Sequence, residues 1–130
     1  MNHKIRIFIV DDEEEALHLL KKGLIARGFE VEATPDSREA FEDIKRFNPE
    51  LILLDLRMPH LGGFDICDML NNDTQTQGIP IIIISVFYDM SDIKQAYKLG
   101  VEGYVTKPFT MEKLLAEINR VMAYKLIQPA

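Results

Sequence analysis

The sequence predicts a doubly wound α/β fold, and three observations predict it. Short, largely apolar runs rich in Ile, Leu and Val recur at 5–10, 51–54 and 79–84, with a weaker one at 101–105. Runs of that length without alternation are the mark of strands buried on both faces, as parallel strands are. Segments with apolar residues at helical spacing lie between them, so strand and helix alternate five times. Such alternation implies βαβ crossovers and a parallel sheet covered by helices on both faces. Five strands of this class most often form a flavodoxin-like sheet in the order 2-1-3-4-5, here with five helices.

The elements follow in order. The first strand, 5–10, runs into Asp11-Asp12. A helix follows with Leu17, Leu20 and Leu24 on one stripe, Glu13, Glu14 and Glu15 at its positive end, and Gly28 at its stop. The charged, more alternating stretch 30–34 reads as an edge strand. Asp36 and Glu39 make a capping pair for a second helix through Ala40, Ile44 and Phe47, which Asn48-Pro49 ends. After the strand 51–54 comes a helix over 64–72 and a polar loop over 73–78. The strand 79–84 leads to a helix over 89–99 closed by Gly100. The strand 101–105 leads to a helix that Thr110 caps, with Leu114, Ile118 and Val121 on one side. Met58, Met69 and Met122 read as core filler.

A chain of 130 residues has the usual size of one domain, and we read 1–130 as a single one with its own core. A net charge of −6 excludes a domain-wide basic footprint, so no direct nucleic-acid binding is expected. Cys67 stands alone, which rules out an internal disulfide and a Cys-based zinc site and fits a reducing, cytoplasmic compartment. No signal-peptide pattern opens the chain, and no run approaches the roughly 20 apolar residues that cross a bilayer, so no membrane association is expected.

In an open α/β sheet, ligands bind beyond the carboxyl ends of the strands where the strand order reverses, here between strands 1 and 3. Strand 1 ends in Asp11-Asp12, strand 3 in Asp55, strand 4 in Ser85 and strand 5 in Thr106-Lys107. Read singly, Asp12 is a helix cap, Ser85 a loop hydroxyl and Lys107 a solvated lysine. Their coincidence on one edge is what points to a site. Three adjacent carboxylates repel unless compensated, and a hard divalent cation with oxygen ligands is the natural remedy. His and Cys ligands are missing there, so Mg²⁺ is expected, with Mn²⁺ as a stand-in. His3, His18 and His60 have no spacing that suggests ligation, although His60 lies close after Asp55.

The set Asp11-Asp12, Asp55, Ser85 and Lys107-Pro108 resembles the receiver domain of two-component response regulators. Asp55-Leu56-Arg57-Met58-Pro59, Gly63 and the run from Gly100 to Phe109 add to the likeness, which covers essentially the whole chain. The resemblance implies a phosphoacceptor signalling domain rather than an enzyme, with slow self-catalysed phosphoryl transfer and dephosphorylation. Asp55 would attack a phosphohistidine on a sensor histidine kinase or phosphotransfer protein and become an aspartyl phosphate. Asp11, Asp12, one oxygen of Asp55 and the backbone carbonyl of Arg57 would hold Mg²⁺. Lys107 would pair with a phosphoryl oxygen, and the Lys107–Pro108 bond would be cis. Ser85 would swing toward the phosphoryl group and Tyr104 would turn inward, shifting the face of helix 4, strand 5 and helix 5, through which a homodimer could form. Read without the resemblance, Tyr104 is a half-buried aromatic on an edge strand.

Departures from the pattern are Val86, whose bulk would narrow access to the site, and Gly62, which would leave its loop more flexible. Arg57 and Phe87 flank the pocket, where they would tune the lifetime of the aspartyl phosphate. Two competing readings fit the sequence less well. A Mg²⁺-dependent phosphohydrolase would need a general acid where Arg57 stands, and an unphosphorylated interaction module would lack Asp55, one of the acidic pair or Lys107.

Overall fold

The computed structural model describes residues 3–127. Its five strands are β1 (Arg6–Val10), β2 (Glu30–Thr34), β3 (Leu51–Asp55), β4 (Ile81–Ser85) and β5 (Gly103–Thr106). Its five helices are α1 (Glu14–Ala26), α2 (Ser37–Phe47), α3 (Gly63–Asn71), α4 (Met90–Lys98) and α5 (Met111–Ile127). All strands are parallel, in the order β2-β1-β3-β4-β5. The predicted fold class and strand order are those observed.

Side chains along a strand point alternately to opposite faces, and here both faces are apolar. Ile7, Ile9, Leu53, Ile82 and Ile84 pack on one side against Leu17, Leu20 and Leu24 of α1 and Leu114 and Ile118 of α5. Phe8, Val10, Ile52, Leu54 and Ile83 pack on the other against α2, α3 and Ala96 of α4. Two layers of helix therefore clamp the central strands, and this explains why their sequences show no alternation. Cys67 lies in the second layer, where burial pushes its thiol up to about 12 and the charge of Glu102 adds to the effect.

Helix ends show where local chemistry differed from expectation. Gly28 and Gly100 follow α1 and α4 with φ of +96° and +90°, and Asn48 ends α2 in the left-handed region at +55°. The Asp36–Glu39 capping pair is corrected. Asp36 does cap α2, its carboxylate accepting from the Arg38 amide, but the Asp36 amide donates to the hydroxyl of Thr34. Met69 is also corrected: it is 36% exposed, whereas Met122 is buried and Met58 packs partly against the core. The strands at 79–84 and 101–105 begin two residues later than expected, because Pro80 has no amide to give and Gly100-Val101 turn the chain.

One close approach secures the edge where the site lies. The amide of Gly63 donates to the Leu56 carbonyl at 2.7 Å, closing the loop from β3 into α3 at its neck. A Cβ at Gly63 would stand 2.5 Å from the Asp55 carbonyl oxygen and 2.9 Å from the Leu56 Cα, so only glycine fits. Gly63→Ala should cost about 2–3 kcal/mol, read as a lower urea midpoint with unchanged slope.

Candidate acidic site at the carboxyl edge of the sheet

Parallel pairing brings every strand's carboxyl end to one edge. Val10 lies opposite Leu54, so the residues that follow, Asp11 and Asp55, emerge side by side. Asp11 continues the ladder through its amide to the Thr34 carbonyl, and Lys107 does the same to the Ser85 carbonyl at 2.7 Å. Carboxylate oxygens of Asp11, Asp12 and Asp55 lie within 4.8 Å of one another. Asp11 and Asp55 are buried and Asp12 is exposed.

Lys107 answers this crowding. Its Nζ donates to Asp11 Oδ2 at 2.7 Å and stands 3.7 Å from Asp55 Oδ2. The other Asp11 oxygen accepts from the Glu13 amide at 3.0 Å, which fixes the carboxylate plane at the mouth of α1. Burial works to lower the Lys107 ammonium, but the Asp11 hydrogen bond and the charges of Asp55 and Asp11 leave it raised. The Asp55 carboxyl goes the opposite way from most aspartates. Burial lifts it from 3.8 to about 7; Lys107 opposes this in part, while Asp11 and Asp12 add to it.

Once Asp55 is ionised, three carboxylates against one ammonium leave two negative charges, the charge that a divalent cation offsets. The donors are all hard oxygens, as Mg²⁺ requires. The residues therefore fit such an ion.

Ser85, Tyr104, Arg57 and Phe87 form a second arrangement beside the acids. Ser85 is fully buried and its Oγ accepts from the Phe87 amide at 3.0 Å. The Tyr104 hydroxyl donates to the Phe87 carbonyl at 2.6 Å. The Arg57 guanidinium lies 4.4 Å from the centre of the Phe87 ring and pairs with Asp92 of α4 at 3.2 Å. Phe87 thus joins β4, β5 and the loop after β3. Spacing alone could not bring Arg57 to Asp92, and that ion pair was missed. Val86 is more than half exposed and lines a cavity of about 400 Å³ with Lys107 and Phe109. Gly62, expected to loosen its loop, is tied through its amide to Asp65 Oδ2 at 3.0 Å. The Lys107–Pro108 peptide is cis.

The family model described as the response regulator receiver domain matches residues 7–119. The chain is 34% identical over 119 residues to the "Probable transcriptional regulator ycf27" of Porphyridium aerugineum, covering 92% of this chain and 48% of that protein. It is 30% identical over 125 residues to the "DNA-binding response regulator MtrA" of Mycolicibacterium smegmatis, covering 96% and 54%. The chain spans about half the length of these curated relatives. Among solved structures, the Vibrio cholerae chemotaxis protein CheY4 superposes with a TM-score of 0.87 at 26% identity, covering 92% of this chain and 99% of that one. No helix among the described residues is long and apolar enough to cross a membrane.

The raised Asp55 carboxyl sets a pH dependence of unusual sign. The unfolded chain releases this proton near pH 4, whereas the folded chain keeps it to about 7. Asp55 therefore costs nothing below pH 4, destabilises progressively as pH rises, and exerts its full penalty above 7. In metal-free buffer, Asp55→Asn should be more stable than wild type above pH 7, by on the order of 2–4 kcal/mol. Thermal melts across pH should show that gap closing toward pH 4, and a constant gap would refute the burial of this charge.

Proposed function

We propose that this chain, which belongs to the response regulator receiver domain family, accepts a phosphoryl group on Asp55 and switches a protein-contact face in response. The family is a signalling domain of two-component systems, and its members work with histidine kinases or phosphotransfer proteins. The observation that supports this reading best is the Asp55 carboxylate, buried at the end of β3 with Asp11 and Asp12 within 4.8 Å and Lys107 Nζ at 3.7 Å.

In the proposed reaction, an Asp55 carboxylate oxygen attacks the phosphorus of a phosphohistidine. The new O–P bond forms as the P–N bond breaks, and the imidazole leaves with the electron pair. Asp11, Asp12, Asp55 and the Arg57 backbone carbonyl would hold Mg²⁺, which when bound neutralises charge on the phosphoryl oxygens and on the carboxylates they approach. Lys107 is already poised between Asp11 and Asp55, so it can exchange part of that pairing for a phosphoryl oxygen. Slow hydrolysis of the aspartyl phosphate would return the chain to its resting state.

For the switch, Ser85 would give its hydroxyl to the phosphoryl group, releasing the Phe87 amide it now accepts from. Tyr104, bound to the carbonyl of the same residue, would turn inward as that segment moves. The face of α4, β5 and α5 would change shape in consequence and could pair with a second copy. We read 1–130 as one receiver domain; the curated relatives' DNA-binding and transcriptional roles would belong to segments outside it.

Intact-mass measurement after incubation with acetyl phosphate and Mg²⁺ should show one added, base-labile phosphoryl group. Asp55→Asn should abolish it, and modification that persists in the variant would refute the assignment. Asp12→Asn should weaken Mg²⁺ affinity at least tenfold by calorimetry, far beyond any surface substitution.

A further inference from the structure

Ser37 is the first residue of α2, and it is almost wholly buried although it is a hydroxyl. Its Oγ donates to the Pro59 carbonyl at 2.8 Å and accepts from the Leu61 amide at 3.2 Å. One side chain thus grips the loop between β3 and α3 on both sides of His60. His60 itself holds a φ of +70°, which an L-residue keeps only where its surroundings impose it. The neck of this loop is closed by Gly63 and Leu56, and its exit by Gly62 and Asp65. Those ties belong to the loop and its own helix. Ser37 reaches it from a different helix, 22 residues earlier in the chain.

Arg57 is the second residue of the loop, and its side chain is anchored on the opposite flank by Asp92 and Phe87. Its backbone is therefore held between two supports, α4 through the guanidinium and α2 through Ser37. We propose that Ser37 is a positioning residue for cation binding: its hydroxyl holds the loop so that the Arg57 carbonyl faces the Asp11, Asp12 and Asp55 carboxylates. This rests on the reading above that these groups bind Mg²⁺. Groups that orient a ligand without touching the metal commonly change affinity as much as a weak ligand does. Losing the hydroxyl would leave the Pro59 carbonyl and Leu61 amide without this partner, and the left-handed turn at His60 would relax. The Asp11 carboxylate keeps its own partners, the Glu13 amide and Lys107 Nζ, because the Ser37 hydroxyl bonds only the Pro59 carbonyl and the Leu61 amide.

Calorimetric titration of the whole chain with MgCl₂ tests this, with amide exchange at Leu61 measured in parallel. Ser37→Ala and Ser37→Gly should raise the Mg²⁺ dissociation constant about tenfold and speed Leu61 exchange. Ser37→Thr, which keeps the hydroxyl, should bind as wild type does. Thr76→Val is the control for lost stability alone: the Thr76 hydroxyl is equally buried and donates to the Leu70 carbonyl at 2.7 Å, in the loop before β4. It should leave Mg²⁺ affinity unchanged. Wild-type affinity in a Ser37 variant whose Leu61 exchange has quickened would overturn the proposal, as would equal weakening in Thr76→Val or in Ser37→Thr. A wild-type chain that takes up no Mg²⁺ would overturn the cation reading itself, a result distinct from the others.

Discussion

The constraint on which the rest of the structure depends is the crowding of Asp11, Asp12 and Asp55 at the ends of two hydrogen-bonded strands. Parallel register makes this unavoidable once the acids follow β1 and end β3. The strands are buried on both faces, so Asp11 and Asp55 cannot turn away into water. The protein keeps the charge tolerable in three ways. Lys107 supplies an ammonium from just past β5, the Glu13 amide fixes Asp11, and Asp55 holds its proton to an unusually high pH. Each device is partial, which leaves a site that gains on meeting further positive charge or giving up its own.

Around this centre, Phe87 links parts that are distant in sequence. Its amide meets Ser85, its carbonyl meets Tyr104 and its ring lies under Arg57. A displacement of this one residue would disturb three contacts together. Arg57 in turn reaches Asp92, so α4 is joined to the loop that leaves β3. These contacts are individually modest, and an exposed guanidinium pair contributes little by itself. Their sharing of one residue is what makes them a unit.

Much of this was legible in the sequence because it rests on short-range rules. Doubly buried strands cannot alternate, so β1, β3 and β4 were plain from their Ile and Leu runs. The switch-point rule by itself places Asp11, Asp55 and Lys107 on one edge. What escaped were contacts that depend on how loops fold back. Nothing in the spacing of Ser37, Pro59 and Leu61 says that a helix start will clasp a loop, and a buried serine at a helix start looks the same as an exposed one. Met69 escaped for a related reason: helical period places it near the apolar stripe of α3, but the stripe is narrow and its edge is open to water. The Asp36 amide is taken by the Thr34 hydroxyl at the end of β2, a partner two residues back that helix-capping patterns do not include.

The position of Tyr104 has a mechanical consequence. It stands on β5, which among the described residues pairs with β4 alone, while Asp55 ends β3 and Asp11 follows β1, interior strands gripped from both sides. Work done at the rim of a sheet has only one seam to disturb. In the proposed reaction the centre can therefore stay rigid as an anvil for bond making while the margin bends, and the two tasks need not compete for stiffness.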